Sequence, residues 1–204
     1  MNIDTNHTVF KELQNRFSEA SIVEHNETKL VYIPRTRDRN YHIISTIGMS
    51  DYSMPVPEKF SDKSKIELFF VLPDYWKPDD LESQNHKWVW DQITFMSSFP
   101  KERETWFGPG HTIPYSKDGS PISEKYEQVA FLMAEPYVLE EEMKPMLTES
   151  DSITFLAVIP LFKNELDFKN KSGTHLLLRK FLKKGISEKV DMFRQCGVRK
   201  KWLF

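Results

Sequence analysis

The eight residues Ile66-Glu-Leu-Phe-Phe-Val-Leu-Pro73 constrain this chain more than any other stretch. A continuous run of β-branched, aromatic and Leu residues ending at a proline fits a strand buried on both faces, in the middle of a sheet. A second apolar stretch, Tyr41-His-Ile-Ile-Ser-Thr-Ile-Gly48, comes shortly before it and predicts a companion strand. The polar connection between the two carries Met49-Ser-Asp-Tyr-Ser-Met-Pro55. Backbone just past a central strand is where chains usually place their working loops, so the ends of this pair bear on function.

The remaining segments read as cover for that pair. Val9, Phe10, Leu13 and Phe17 share one helical face, behind a cap at Thr5 or Thr8. Residues 29–33 predict a short first strand stopped by Pro34, and Gly48 marks a bend where a side chain would be in the way. After residues 74–80, whose acids suit a helix N-terminus, Trp88, Val89, Ile93 and Met96 recur near helical period until Phe99-Pro100. Trp88 and Trp90 sit about 200° apart on such a helix, which predicts one of them at an edge or a contact surface. Residues 131–136 and 153–160 predict two further strands, each halted by a proline. Two helices follow, 161–171 and 174–184, broken at Gly173, with Leu176, Leu177, Phe181 and Leu182 facing inward in the second. The expected fold class is α+β: one domain with a central mixed β-sheet flanked by helices. It spans residues 29–185, with 1–28 as a helical segment of the same domain and 186–204 as a basic tail.

A chain of 204 residues with 39% hydrophobic and 13% aromatic content is large enough for one generous domain with a real core. A formal charge of −2 gives no global reason to expect nucleic acid or an anionic membrane as partner. The single cysteine, Cys196, excludes an intrachain disulfide framework and a cysteine-rich zinc site. No basic, apolar leader opens the chain, and no apolar run approaches the roughly 18–20 residues of a membrane helix. A soluble cytoplasmic protein, monomeric or weakly dimeric, is the expectation.

Trp106-Phe-Gly-Pro-Gly-His-Thr-Ile-Pro114 is the most unusual loop. Gly108 or Gly110 is expected at φ > 0, holding an aromatic pair near His111. The loop lacks both G-x-G-x-x-G and G-x-x-x-x-G-K-[ST] spacing, so nothing in it is built to hold phosphates. The six histidines show no helical metal spacing. A site from His42, Asp51 and His111 competes with the plainer reading of His42 as a packing residue of its strand. Cys196 stands among Arg194, Arg199 and Lys200, a positive setting that lowers a thiol pKa, but no histidine or orienting group accompanies it. No catalytic residue, metal or cofactor is implied. A hydrolase-type alternative would use His111 with Asp51 or Glu135 within hydrogen-bond reach.

Charge is patterned along the chain. Residues 135–151 hold six acids against one base, and residues 179–201 hold nine bases against two acids. Either run can be a solvated face or an electrostatic docking face, and the basic run also admits regulation of a nucleic-acid-binding protein. Tyr52, Tyr75, Trp76, Trp106, Phe107 and Tyr137 all fall at loops or strand ends, and Trp and Tyr there are enriched at protein interfaces. The candidate protein-binding residues are Asp51, Tyr52, Tyr75, Trp76, Trp106, His111, Glu135 and Tyr137. They come together if the loops after Gly48, Pro73 and Pro136 leave the sheet at a common end. Aromatic anchors ringed by acids suit a basic partner, such as a toxin domain.

From about residue 43 to 182 an ordered series of landmarks resembles the suppressor of fused domain family. These are Thr46-Ile-Gly-Met-Ser50 with Pro55, Glu67-Leu with Leu72-Pro73 and Trp76, and the Trp88 helix. Trp106 with Gly110-His-Thr-Ile-Pro114, Leu132 with Glu135-Pro136, and Phe155 with Ile159-Pro-Leu-Phe-Lys-Asn-Glu165 complete it. The resemblance implies a mixed sheet flanked by helices and a binding role without catalytic residues. The eukaryotic namesake clamps a peptide strand of a transcription factor between two domains, and this chain is too short for the second. Bacterial single-domain members of the family point instead to an immunity protein that neutralises a toxin domain.

Overall fold

The computed structural model describes residues 5–81, 83–123, 125–148, 151–191 and 193–198. Its helices are α1 (Thr8–Arg16), α2 (Gln84–Glu102), α3 (Lys163–Ser172) and α4 (Thr174–Lys183). The strands are β1 (Ser21–His25), β2 (Thr28–Ile33), β3 (Tyr41–Thr46), β4 (Ile66–Pro73), β5 (Thr112–Pro114), β6 (Gln128–Ala134), β7 (Met146–Leu147) and β8 (Ser152–Phe162). All eight pair into a sheet ordered β1-β2-β3-β4-β8-β6-β5, with β7 added beside β8. Every residue of β4 is buried, and the strand lies inside the sheet between β3 and β8. The expected mixed sheet is present: β4 and β8 run parallel, while the other pairings are antiparallel.

Alternation along the strands splits the core into two layers. One face carries Ile43, Phe69, Val71, Leu132, Phe155 and Ile159, covered by Val9, Phe10 and Leu13 of α1 and by Leu177 and Phe181 of α4. The other carries Ile44, Leu68, Phe70, Phe131 and Val158, covered by Trp88, Val89, Ile93 and Met96 of α2. Each such side chain contributes about 1.5–3 kcal/mol on burial, so the two layers together hold the sheet between helices.

Several local expectations are corrected. The cap of α1 is neither threonine; His7 Nδ1 accepts from the Val9 N–H at 3.3 Å. Strand β1 is an addition to the strands that the sequence predicts. It joins β2 through Asn26 and Glu27, both at positive φ (47° and 63°), the backbone of a tight hairpin turn without its customary glycine. That hairpin explains the two tryptophans of α2. Trp88 packs on Phe70 and Phe131, while Trp90 reaches over the β1–β2 edge to His25 and Tyr32, so both are buried.

The first turn of α2 holds no acid; its cap is Ser83, and the helix continues through Pro100 to Glu102. Nor does Pro160 end its strand. The β4–β8 ladder stops at Phe69 and Ala157, so the missing N–H of Pro160 falls on a side with no partner strand. Its carbonyl on that side accepts from Arg194 Nη2 at 2.6 Å. In α4 the buried pair is Leu177 and Phe181, one turn apart, and Leu176 and Leu182 are exposed.

Candidate protein-binding surface

The loop after β3 is shaped by one buried carboxylate. Glu67 alternates onto the same face as Phe69 and Val71, with no exposed surface. It accepts from Thr46 Oγ1 (2.5 Å), Gly48 N (3.0 Å), Ser50 N (3.1 Å) and Ser50 Oγ (2.7 Å). Burial raises its pKa, and the hydrogen bonds from Thr46 and Ser50 oppose that rise. Gly48 takes φ 85°, a left-handed turn into the short 3-10 helix Met49–Asp51. Thr46, Gly48 and Ser50 thus all serve Glu67. The outcome is that Asp51 is exposed, its Oδ2 3.4 Å from His7 Nε2, with Tyr52 half-buried beside it.

Glu135, just past β6, emerges at this same end and pairs with Lys63 of the 3-10 helix Glu58–Lys63, which leads into β4. Asp62, Glu140, Glu141 and Lys144 join Glu135 and Lys63 around a cavity of about 420 Å³. Lys65 binds Asp151 at 2.6 Å nearby. The Trp106 loop reaches this end through Phe60 of the same 3-10 helix, with ring centroids 5.4 Å apart. Trp106 also leans on His111 at 4.2 Å. Of the two loop glycines, Gly110 has the positive φ (89°). Gly108 is needed for a different reason, since a Cβ there would lie 2.5 Å from the Trp106 ring.

Tyr137 is mainly structural. Its N–H, with those of Val138 and Leu139, points at Glu188, and its hydroxyl donates to the Ile186 carbonyl at 3.1 Å. Burial pushes its pKa up, helped by the charge of Glu188.

The loop after β4 does not join the others. Because β3 and β4 are antiparallel, the chain leaves β4 at the far end of the sheet from Asp51 and Glu135. There Tyr75 packs at a tilt on the exposed Phe193, ring centroids 5.4 Å apart, and donates to Asp191 at 3.0 Å. Trp76 is not a surface residue at all; it is 3% exposed, packed on Trp88 and Tyr126.

The residues of the alternative chemistries are engaged separately. His111 faces Trp106, Asp51 faces His7, Glu135 faces Lys63, and His42 faces Tyr32. Burial lowers the pKa of His111, and the nearby Lys169 charge adds to the effect. Among the described residues no group of three or more His, Cys, Asp or Glu is placed to hold a metal ion. Cys196 is half-buried and donates to the Val198 carbonyl. Burial raises its pKa, outweighing Arg194 and Lys184, so the positive setting does not activate it. Arg199, Lys200 and Lys201 of the basic run, and Glu149 of the acidic one, lie outside the described residues. Among those residues no helix is long and apolar enough to cross a membrane.

Sequence reading missed the buried glutamates. Besides Glu67, Glu165 is fully buried and takes a bidentate pair from Arg194 at 2.7 and 2.8 Å, together with the N–H groups of Phe162 and Gly197. Glu188 is 1% exposed and caps the backbone after β6. An acid inside or beside an apolar run, as at Glu67, was the available signal.

The family model described as suppressor of fused protein matches residues 24–195. Among solved structures, a suppressor of fused homolog from Neisseria gonorrhoeae superposes with a TM-score of 0.64 at 18% identity, covering 95% of this chain and 96% of that one. The structure of the Sufu–Fu complex gives 0.61 at 13% identity, over 91% and 88% of the two chains. Drosophila Suppressor of Fused gives 0.51 at 17% identity, over 74% of this chain and 37% of that longer one. At these identities the likeness is one of fold. No curated protein matches.

Proposed function

This chain belongs to the suppressor of fused family, and from that premise we propose that it is a non-enzymatic protein-binding module acting as an immunity protein, which captures a basic toxin domain at the acid-rich end of its sheet. One observation carries the reading. Asp51, Tyr52 and Glu135 emerge at the end where β4 begins, and Trp106 is tied to it through Phe60. Asp62, Glu140 and Glu141 stand beside Glu135. Aromatic side chains held by packing give contact area with little entropy to lose, and acids around them speed the capture of a positive partner. A family relative was crystallised as a Sufu–Fu complex, which supports a protein as the class of partner.

The test is binding to a basic toxin-type domain, sought first in the reading frames that adjoin this gene. Trp106→Ala is expected to weaken the complex by about 2 kcal/mol or more, as for an interface anchor. Glu135→Lys with Glu140→Lys is expected to slow association and to flatten its salt dependence. Phe193→Ala, at the opposite end, should change neither. Binding that tolerates the first two changes but fails on reversing Lys183, Lys184 and Lys189 would move the interface to the basic side and sink this assignment.

A further inference from the structure

Between the second half of α2, strand β5 and the end of α3 lies a cavity of about 750 Å³. Its walls are mostly rings and aliphatic groups: Phe95, Phe99, Trp106, Phe107, Ile113 and Tyr115. Phe99 and Phe107 lie parallel with centroids 5.5 Å apart, and Phe95 packs on Phe99 while remaining 48% exposed. An aromatic ring half open to water at the mouth of a cavity is apolar surface that a ligand can still cover.

The charged part of the lining has one sign. Lys117 and Lys169 stand in it, with His111 as a polar neighbour, and no carboxylate does. Asp118, next to Lys117, does not line the cavity and accepts from the Ser120 N–H and hydroxyl at 3.0 and 2.6 Å. Among the described residues neither lysine makes an ion pair. Lys169 is half-buried, and burial holds its amine below the usual lysine range. An ammonium that has given up part of its hydration without gaining a counter-charge favours an arriving anion more than an exposed one would.

We propose that this cavity binds a small amphiphilic anion, a molecule with an apolar body and one carboxylate. Its body would lie among Phe95, Phe99 and Phe107 and its carboxylate against Lys169, with Lys117 at the rim. Concave apolar sites of a few hundred Å³ with a few converging polar groups are the usual form of small-molecule sites. The occupant is independent of the toxin reading, and the cavity is fixed by α2 and α3 rather than by Asp51 or Glu135. Trp106 borders both regions, so the test leaves it unchanged.

The experiment titrates the intact protein with dodecanoate below its micelle concentration, followed by calorimetry. Saturable one-to-one binding is expected, and none with dodecyltrimethylammonium, which has the same chain and the opposite charge. Lys169→Glu should raise Kd at least tenfold, and Lys183→Glu on α4 should leave it unchanged. Should Lys169→Glu fail to fold, Lys169→Gln with a parental melting curve takes its place and should also weaken binding. Equal affinity for the two amphiphiles, no saturable heat, or an unchanged Kd on losing the Lys169 charge would each overturn the proposal. So would an effect of Lys183→Glu alone, which would put the anion on the surface of α4.

Discussion

His42 shows how a single side chain in a strand acquires a fixed protonation state. Its ring is 6% exposed and stacks beside Tyr32. The Arg35 N–H, which can only donate, points at Nδ1 from 3.2 Å, and the Tyr32 hydroxyl approaches the same atom at 2.6 Å. Nδ1 is therefore the acceptor of two donors, and the ring proton belongs on Nε2. Charging the ring would place a second proton between those donors. Burial, with Arg35 and Arg39 adding to it, pulls the pKa below its ordinary value of 6.5. The unfolded chain then takes up this proton first as pH falls. The contribution to stability is full above about 6.5 and is lost as pH drops from there through the lowered folded value. His42→Asn keeps an acceptor near the Nδ1 position without the titration. Its urea-unfolding free energy should therefore change less between pH 7 and pH 5 than that of the parent. Parallel pH profiles for the two proteins would show that His42 does not titrate against folding.

Among the elements, the segment after α4 depends most on contacts made far along the chain. Val190 donates to the Val71 carbonyl at 2.7 Å, and Lys189 pairs beside Val71 where β8 has turned away. Glu188 holds the loop after β6, and Arg194 reaches the Pro160 carbonyl of β8 and Glu165 in the first turn of α3. Gly197 lies so close that an added Cβ would meet the Phe181 ring at 2.7 Å. A charge-patterned stretch that reads as a basic tail is thus, in its described residues up to 198, a strap whose Glu188 and Arg194 are turned inward. Arg194→Ala would leave the Glu165 carboxylate buried with only two N–H groups. The expected loss is about 3–5 kcal/mol, measured by denaturant unfolding. A loss under about 1 kcal/mol would mean that the strap is held by its other contacts.

At the scale of the whole molecule, both layers of core are built on one continuous sheet. Strand β4 is completed by β8, which follows it only after α2, β5, β6 and β7. Neither half of the chain can bury its strands without the other. The prediction is a single unfolding transition by calorimetry, with enthalpy agreeing between calorimetric and van't Hoff analysis. Two resolved transitions would show that the sheet divides into parts that hold alone. The same long-range pairing makes refolding slow, since distant segments must meet before the central strand gains its neighbour.

What the sequence determined by itself was a set of features carried by a local period or a local break, although Pro100 and Pro160 did not break their elements and Leu176 and Leu182 face outward. The unbroken run 66–73 specified a central strand, the Trp88–Met96 spacing a helix, Gly173 a break between two helices, and the pair Gly108 and Gly110 a left-handed turn at one of the two, which the structure places at Gly110. The landmarks from Thr46 to Glu165 specified the family. Tertiary structure alone decided which way each strand ran, because direction depends on the hydrogen-bond partner and not on side-chain alternation. Hence Asp51 and Glu135 share an end, while Tyr75 is sent to the other and Trp76 into the core. It also decided that Trp90 is covered, since the hairpin over it turns on Asn26 and Glu27 rather than on a glycine. The inward glutamates belong to the same class. Glu67, Glu165 and Glu188 each satisfy backbone or side-chain donors from segments remote in sequence; the apolar run around Glu67 points to its burial, but no local pattern identifies the donors that these acids meet.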